Sequence, residues 1–270
     1  MIVVGFMITR FIVDFKKYWE YASYAAKAEL TTEISGTYLS WLWWVLEPLC
    51  FMVVYVFVFG YVFQSQTEYF AIFIFLGITI WNFFAANISS SVELVYNNKH
   101  ILGKVYLPKY MLLIRKILVN TFKMFISFIL IALMLWFFKV PLSIHIFSAF
   151  PLLLLLFVCT FGFTMITLHL GVFIRDLANL VQVFLRAMFF LTGIFFSIEE
   201  RIGSLSADLA YVFQYFNPFA FIISSFRDVV IYSKGLDWNW YFSWLGMSMF
   251  IVMLGLYLIY NNEDDYIKVL

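Results

Sequence analysis

The chain has 270 residues, 64% hydrophobic and 12% charged, with a formal net charge of +1 and a mean hydropathy of +0.94. A soluble domain is about half apolar and about a quarter charged, so this composition excludes an ordinary soluble enzyme and identifies an all-α polytopic membrane protein. The near-neutral balance carries no signature of nucleic-acid binding.

Residues 1–40 open with an expected amphipathic helix, Met1 to about Ser35, lying in the cytoplasmic interface. Arg10, Asp14, Lys17 and Lys27 recur on one side, and Phe11, Phe15, Trp19, Ala22 and Ala26 on the other. A helix packed on its own protein is the other reading of the same stripe. Four cations, several acids and no long apolar core give this stretch no cleavable signal.

Residues 41–270 form the transmembrane domain. Six apolar runs, at about 41–63, 70–92, 111–138, 147–173, 177–196 and 240–260, are each near or above the length needed to cross the hydrocarbon core. Trp41, Trp43 and Trp44 open the first, where an interfacial aromatic belt is expected. Arg175-Asp176 leaves only a tight hairpin between the fourth and fifth.

The loop between the second and third runs is the long basic one, Tyr96 to Lys116. Lys99, Lys104, Lys109, Arg115 and Lys116 lie in it, and Lys123 follows. Short loops rich in Lys and Arg stay cytoplasmic. Twelve cations fall on the segments this places inside, against four outside (Lys139, Arg201, Arg227 and Lys234), so both termini are expected in the cytoplasm. Ile101, Leu102, Val105, Tyr106 and Leu107 alternate with the cations, and Pro108 ends the segment. An apolar side within a basic loop points to a partner or to lipid headgroups.

Segment 197–238 mixes Glu199, Glu200, Arg201, Asp208, Arg227 and Asp228 with an apolar stretch broken at Gln214 and Asn217-Pro218. It reads as two short helices dipping into the outer leaflet and turning at Asn217-Pro218. A seventh span, with the C-terminus outside, is the alternative.

The chain holds no GxxxxGK[ST] nucleotide loop, because Gly103-Lys104 lacks the upstream glycine and a following Ser or Thr. No HExxH or GxSxG occurs. His100, His145 and His169 have no metal-ligand spacing, and Cys50 and Cys159 read as packing residues. These absences suit a transport subunit without metal or cofactor of its own, taking energy from another chain or an ion gradient.

Phe51, Tyr55, Phe59 and Phe63 form a stripe at four-residue spacing on the first span, with Phe184 and Phe195 on the fifth. Aromatic faces pack against the C–H faces of sugars, and they also pack helices and meet lipid. Arg186 lies well inside the fifth span, where a cation costs about 2.5–3.5 kcal/mol on insertion scales. Its candidate partners are Glu47 and a substrate phosphate; a structural ion pair is the other reading.

Four groups of residues carry a resemblance. They are Tyr38-Leu39, Leu42-Trp43, Pro48-Leu49 and Val58-Phe59-Gly60; then Trp81-Asn82-Phe83-Phe84, Asn97-Asn98 and Lys104 to Pro108. Val172 to Asp176 with Phe189-Phe190-Leu191 and Ile194-Phe195 make the third, and Asn217-Pro218-Phe219 with Phe226-Arg227-Asp228 the fourth. In this order they resemble the membrane subunit of ABC-type polysaccharide, O-antigen and teichoic-acid exporters, the type-two ABC export permeases. The resemblance implies an interfacial N-terminal helix, six spans, two short gate helices between the fifth and sixth, and a homodimer in the bacterial cytoplasmic membrane. It implies a separate ATP-binding subunit, which holds the ATP and Mg²⁺, docked on a coupling segment at 96–110 through Lys99, Ile101, Leu102, Lys104, Val105, Tyr106 and Pro108. It also implies an outer gate at Asn217, Pro218 and Arg227 and a polymer path along the first and fifth spans; a coupling role is one reading of Arg175 and Asp176, an interfacial anchor with a helix cap the other.

The implied cargo is a lipid-linked glycan polymer moved through membrane lipid, a polysaccharide or teichoic acid. A drug or small lipid-like molecule is the alternative, and a membrane-embedded transferase the third. Two departures stand out. Gly193 takes the place of a common proline, implying a weaker kink in the fifth helix, and Leu30-Thr31-Thr32-Glu33 replaces a basic pattern.

Overall fold

A computed structural model describes residues 2–35, 40–62, 67–174, 176–198, 203, 206–263 and 265–266. Among them are α1 (Ile2–Ile34), α2 (Trp43–Tyr55), α3 (Phe70–Val92), α4 (Leu94–Asn97), α5 (Lys99–Leu102) and α6 (Lys109–Phe137). There follow α7 (Ala149–Phe173), α8 (Leu177–Leu191), α9 (Ala207–Tyr215), α10 (Pro218–Val230) and α11 (Trp238–Asn261). A π-helical stretch, Val56–Val62, prolongs α2, and a 3₁₀ turn, Ile144–Ser148, leads into α7. No strand occurs among the described residues.

Five helical segments are long and apolar enough to span a membrane: Trp43–Val62, Phe70–Val92, Lys109–Phe137, Ile144–Phe173 and Trp238–Asn261. They match the expected runs to within a few residues. Burial ranks them: 78% of the apolar window of α3 is inside the molecule, and none of that of α2. The main core surrounds α3, with Ile72, Phe75, Leu76 and Ile80 fully enclosed between α6, α7, α8 and α10. Alongside α7 lies α11, and small residues set the closeness of that pair. A Cβ at Gly255 would stand 2.6 Å from Met165 Cβ, and one at Gly162 would stand 2.9 Å from Ile251 Cγ2.

The expected fifth span, 177–196, is corrected. Helix α8 has 15 residues, about 22 Å at the α-helical rise and short of a ~30 Å hydrocarbon core. The chain leaves the helix at Thr192 and turns through Gly193 at φ +68°, a left-handed conformation that glycine adopts without strain. The weaker kink inferred from the missing proline is therefore overturned: the glycine ends the helix. Ile194 and Phe195 fold back into the core, 0% and 4% exposed.

Beyond it, α9 and α10 meet at 97°. The sharp turn follows from its sequence. Pro218 takes the first helical position, and the Asn217 side chain accepts hydrogen bonds from Phe219 N at 3.1 Å and Ala220 N at 3.4 Å. A single straight seventh span is incompatible with that bend.

Helix α1 packs along α6. Ala22 and Ala26 are buried on its inner side, where their small side chains admit close approach. Acids join it to the cations of α6. Glu33 Oε2 lies 2.6 Å from Lys123 Nζ, and Glu29 pairs with Lys116. Arg115 Nε lies 3.2 Å from Glu29 Oε2, an ion pair rather than an aligned hydrogen bond. Glu33 belongs to the stretch that departs from the basic pattern; here the acid sits on α1 and the cation on α6.

Candidate functional site

Three regions gather the residues of interest. The first is the basic loop. Between α3 and α6 the chain makes two four-residue helices, α4 and α5. Ile101, Lys104, Val105 and Tyr106 are exposed, and Lys99 is half-buried with Nζ 4.5 Å from the centroid of the exposed Tyr96 ring. Leu102 and Pro108, expected on the same docking face, point inward instead. Leu102 joins Leu94, Val95, Leu107 and Tyr110 in a second core, where its burial holds the loop down. Of the six cations from Lys99 to Lys123, Arg115, Lys116 and Lys123 are engaged by α1, and Lys109 is buried.

Glu263, after α11, ties this loop to the chain ends. Its carboxylate accepts from Arg10 Nη2 at 2.7 Å and from Tyr106 Oη at 2.8 Å, and Lys109 Nζ stands 3.5 Å away. Arg10 Nη2 also donates to Tyr106 Oη at 2.6 Å. Burial and the bond to Glu263 push the Tyr106 phenol up to about 12, so it remains a donor at neutral pH. Beneath it Tyr110 Oη donates to Asp14 Oδ2 at 2.8 Å. His169 lies 2.7 Å from Tyr266 Oη through Nδ1. The sequence reading did not find Glu263; the signal was an acid just past the last span, opposite a basic loop.

The second region is the uncovered face of α2. Phe51, Tyr55 and Phe59 form a continuous ring contact, centroids 6.2 and 6.4 Å apart. Phe51 is exposed, while Tyr55 and Phe59 are half-buried against Phe195, at 4.8 and 4.5 Å. Phe195 is thus a core residue that backs the stripe rather than a free ring on a fifth span. Phe63 lies outside the described residues. Phe184 does not join the stripe: it faces an apolar pocket of about 370 Å³ with Trp81, Met188 and Phe219. The cause is the break at Gly193, which puts residues 184 and 195 on different elements.

Two cavities flank the stripe. One, about 410 Å³, lies between α2, α3 and α6, and is lined by Glu47, Phe51, Tyr55, Asn82, Asn120 and Lys123 among others. The second, also about 410 Å³, is bounded by Ser89, Gln182 and Arg186. Ala85 and Phe189 border both. Arg186 is exposed and makes no ion pair among the described residues, so it does not pair with Glu47, one of its two candidate partners; the two charges belong to different cavities. Asn120 was not singled out from the sequence, and Asn82 appeared there only within the Trp81 to Phe84 group, not as a cavity residue. Their signal was an amide in the middle of an otherwise apolar run.

The third region is the α9–α10 pair. Arg227, counted above with the external loops, is instead 4% exposed inside the molecule. Its guanidinium donates to Phe73 O at 3.1 Å, Gly193 O at 2.8 Å and Ile194 O at 2.8 Å, and it stacks 3.4 Å from the centroid of the Phe73 ring. Gly77 leaves the space: a Cβ there would stand 2.6 Å from Arg227 Nη2. Asn217 and Pro218 are spent on capping α10. Of the turn pair between α7 and α8, Asp176 is exposed and Arg175 lies outside the described residues.

The chain was compared with known proteins. It is 25% identical over 202 residues to an O-antigen export system permease protein RfbA of Klebsiella pneumoniae, covering 74% of this chain and 76% of that one. A second RfbA permease of the same organism is 23% identical over 235 residues, covering 87% and 88%. One from Myxococcus xanthus is 25% identical over 206 residues, covering 74% and 76%. The family model described as ABC-2 type transporter matches residues 25–231, from within α1 to the first residue after α10. With most of its length matched, an all-helical multi-pass architecture and a bent helix pair before the last span, this chain belongs to the ABC-2 type transporter family.

Proposed function

We propose that the chain is the permease subunit of an ATP-driven exporter that moves a lipid-linked polysaccharide outward across the cytoplasmic membrane. The observation that carries this reading is the face of α2. A span with none of its apolar window buried presents an aromatic stripe flanked by cavities that hold Glu47 and Arg186. Unpaired charges facing hydrocarbon are expensive, whereas the same face against a second copy would enclose a wet, aromatic-lined path. The relatives are named for O-antigen export, and a polymer of that kind offers both hydroxyls for the polar walls and C–H faces for the rings.

In this reading two copies pair through α2, and both termini are cytoplasmic. The subunit itself changes no covalent bond. A separate ATP-binding subunit, carrying ATP and Mg²⁺, docks on Tyr96, Ile101, Lys104, Val105 and Tyr106. Asp176 lies at the second cytoplasmic turn beside it. A teichoic acid is the other polymer of suitable chemistry. The test is depletion of the chain in its native host. Lipid-linked glycan should accumulate on the inner side of the membrane, and an unchanged distribution would reject the proposal.

A further inference from the structure

We infer that the cavity between α2, α3 and α6 is a binding site for a neutral pyranose unit of the transported glycan. The inference rests on the export function proposed above and assigns one step of recognition within it. The cavity holds about 410 Å³, within the usual range for small-ligand sites. Its walls combine two kinds of surface that occur together at sugar sites. Phe51 and Tyr55 supply aromatic faces for the apolar C–H side of a ring. Glu47, Asn82 and Asn120 supply hydrogen-bonding groups for hydroxyls, each of which can donate and accept.

The polar groups are displayed toward the cavity, not absorbed by the fold. Asn82 lies halfway along α3, the most buried helix, yet is itself exposed, and no hydrogen bond engages its amide among the described residues. Glu47 is exposed and forms no ion pair there. Asn120 donates to Asn87 Oδ1 at 2.9 Å through Nδ2, which fixes its orientation and leaves its carbonyl oxygen as an acceptor. An amide and a carboxylate without partners inside a membrane bundle are costly unless a polar ligand or water meets them.

Charge selects the class of ligand. Lys123, the cation of the cavity, is already neutralised by Glu33 at 2.6 Å. The remaining charge is the carboxylate of Glu47, which repels phosphate and accepts bidentately from vicinal hydroxyls. The cavity therefore suits an uncharged sugar, and the phosphate of a lipid carrier is excluded from it. Arg186 in the adjoining cavity has no such neutralising partner among the described residues.

The test uses the full exporter, this chain with its ATP-binding subunit, in lipid nanodiscs. Saturation-transfer NMR is recorded with cellobiose as a neutral probe and glucose 1-phosphate as an anionic one. Cellobiose should receive saturation at its ring protons, and glucose 1-phosphate clearly less. Asn82→Leu and Glu47→Gln should each weaken cellobiose binding about tenfold, the order of one or two hydrogen bonds. Glu47→Gln is nearly isosteric at an exposed position, so it carries the test should Asn82→Leu fail to assemble. Equal binding by wild type and Glu47→Gln, or tighter binding of the phosphate ester, overturns the inference. Depletion separates the two levels. Glycan accumulation with no effect of the cavity variants rejects the site alone, and no accumulation rejects the export reading.

Discussion

Replacing Arg227 by methionine should unfasten the bent helix pair from the rest of the bundle. The side chain keeps its apolar bulk near Phe73 but loses every donor. Three carbonyls lose a partner: Phe73 O, Gly193 O and Ile194 O. Phe73 O lies inside α3 and keeps its helical partner, so its loss is small. Gly193 O and Ile194 O lie beyond the end of α8, where no next turn follows. Two buried acceptors left bare, at ~1–3 kcal/mol each, give about 2–6 kcal/mol. Part of that is returned because a buried guanidinium is no longer desolvated. Arg227→Lys should recover little, since one ammonium cannot span carbonyls from two elements. The assay is thermal unfolding of the purified protein in detergent, followed by size-exclusion chromatography, with hydrogen exchange read for residues 192–198. Both variants should melt several degrees lower and exchange faster there. A methionine variant that melts and exchanges as wild type would refute the clamp.

Gly171→Val should prevent α3 and α7 from meeting, because a Cβ there would stand 2.1 Å from Val92 O; overpacking of this kind costs about 1–3 kcal/mol or more, visible as lost folded yield on detergent chromatography. Leu102→Asp should also reduce folded yield, since it puts a carboxylate into the second core. Val105→Asp, at a residue 61% exposed, should fold normally and instead weaken co-purification of the ATP-binding subunit. Glu263→Gln should leave assembly intact but loosen Tyr106 and Arg10, raising the ATP hydrolysed per glycan exported; an unchanged ratio would show that the carboxylate is only a tether.

Five of the six expected spans, the basic loop and the turn at Asn217-Pro218 were legible because each depends on local chemistry. Twenty apolar residues must cross hydrocarbon, cations resist translocation, and proline with an upstream asparagine caps a helix wherever it lies. The aromatic stripe of α2 was equally legible, since four-residue spacing on one helix fixes a shared face. Which residues share a face across different helices was not. Phe184 and Phe195 parted company because a single glycine reverses φ between them. Leu102 turned inward to the second core and Tyr106 outward in one short loop, where Arg10 of α1 and Glu263 beyond α11 hold the Tyr106 hydroxyl.

Arg227 and Glu47 show the same division. By sequence, one was an external cation and the other a candidate partner for Arg186. The fold buries the first among carbonyls of two other elements and leaves the second in a cavity with two asparagines. The sequence by itself determined five of the segments long and apolar enough to span, because transfer free energy is summed along one segment at a time. Only the tertiary structure decided which polar groups are satisfied and which face an open cavity, because a hydrogen bond needs a partner brought from elsewhere in the chain to within about 3 Å.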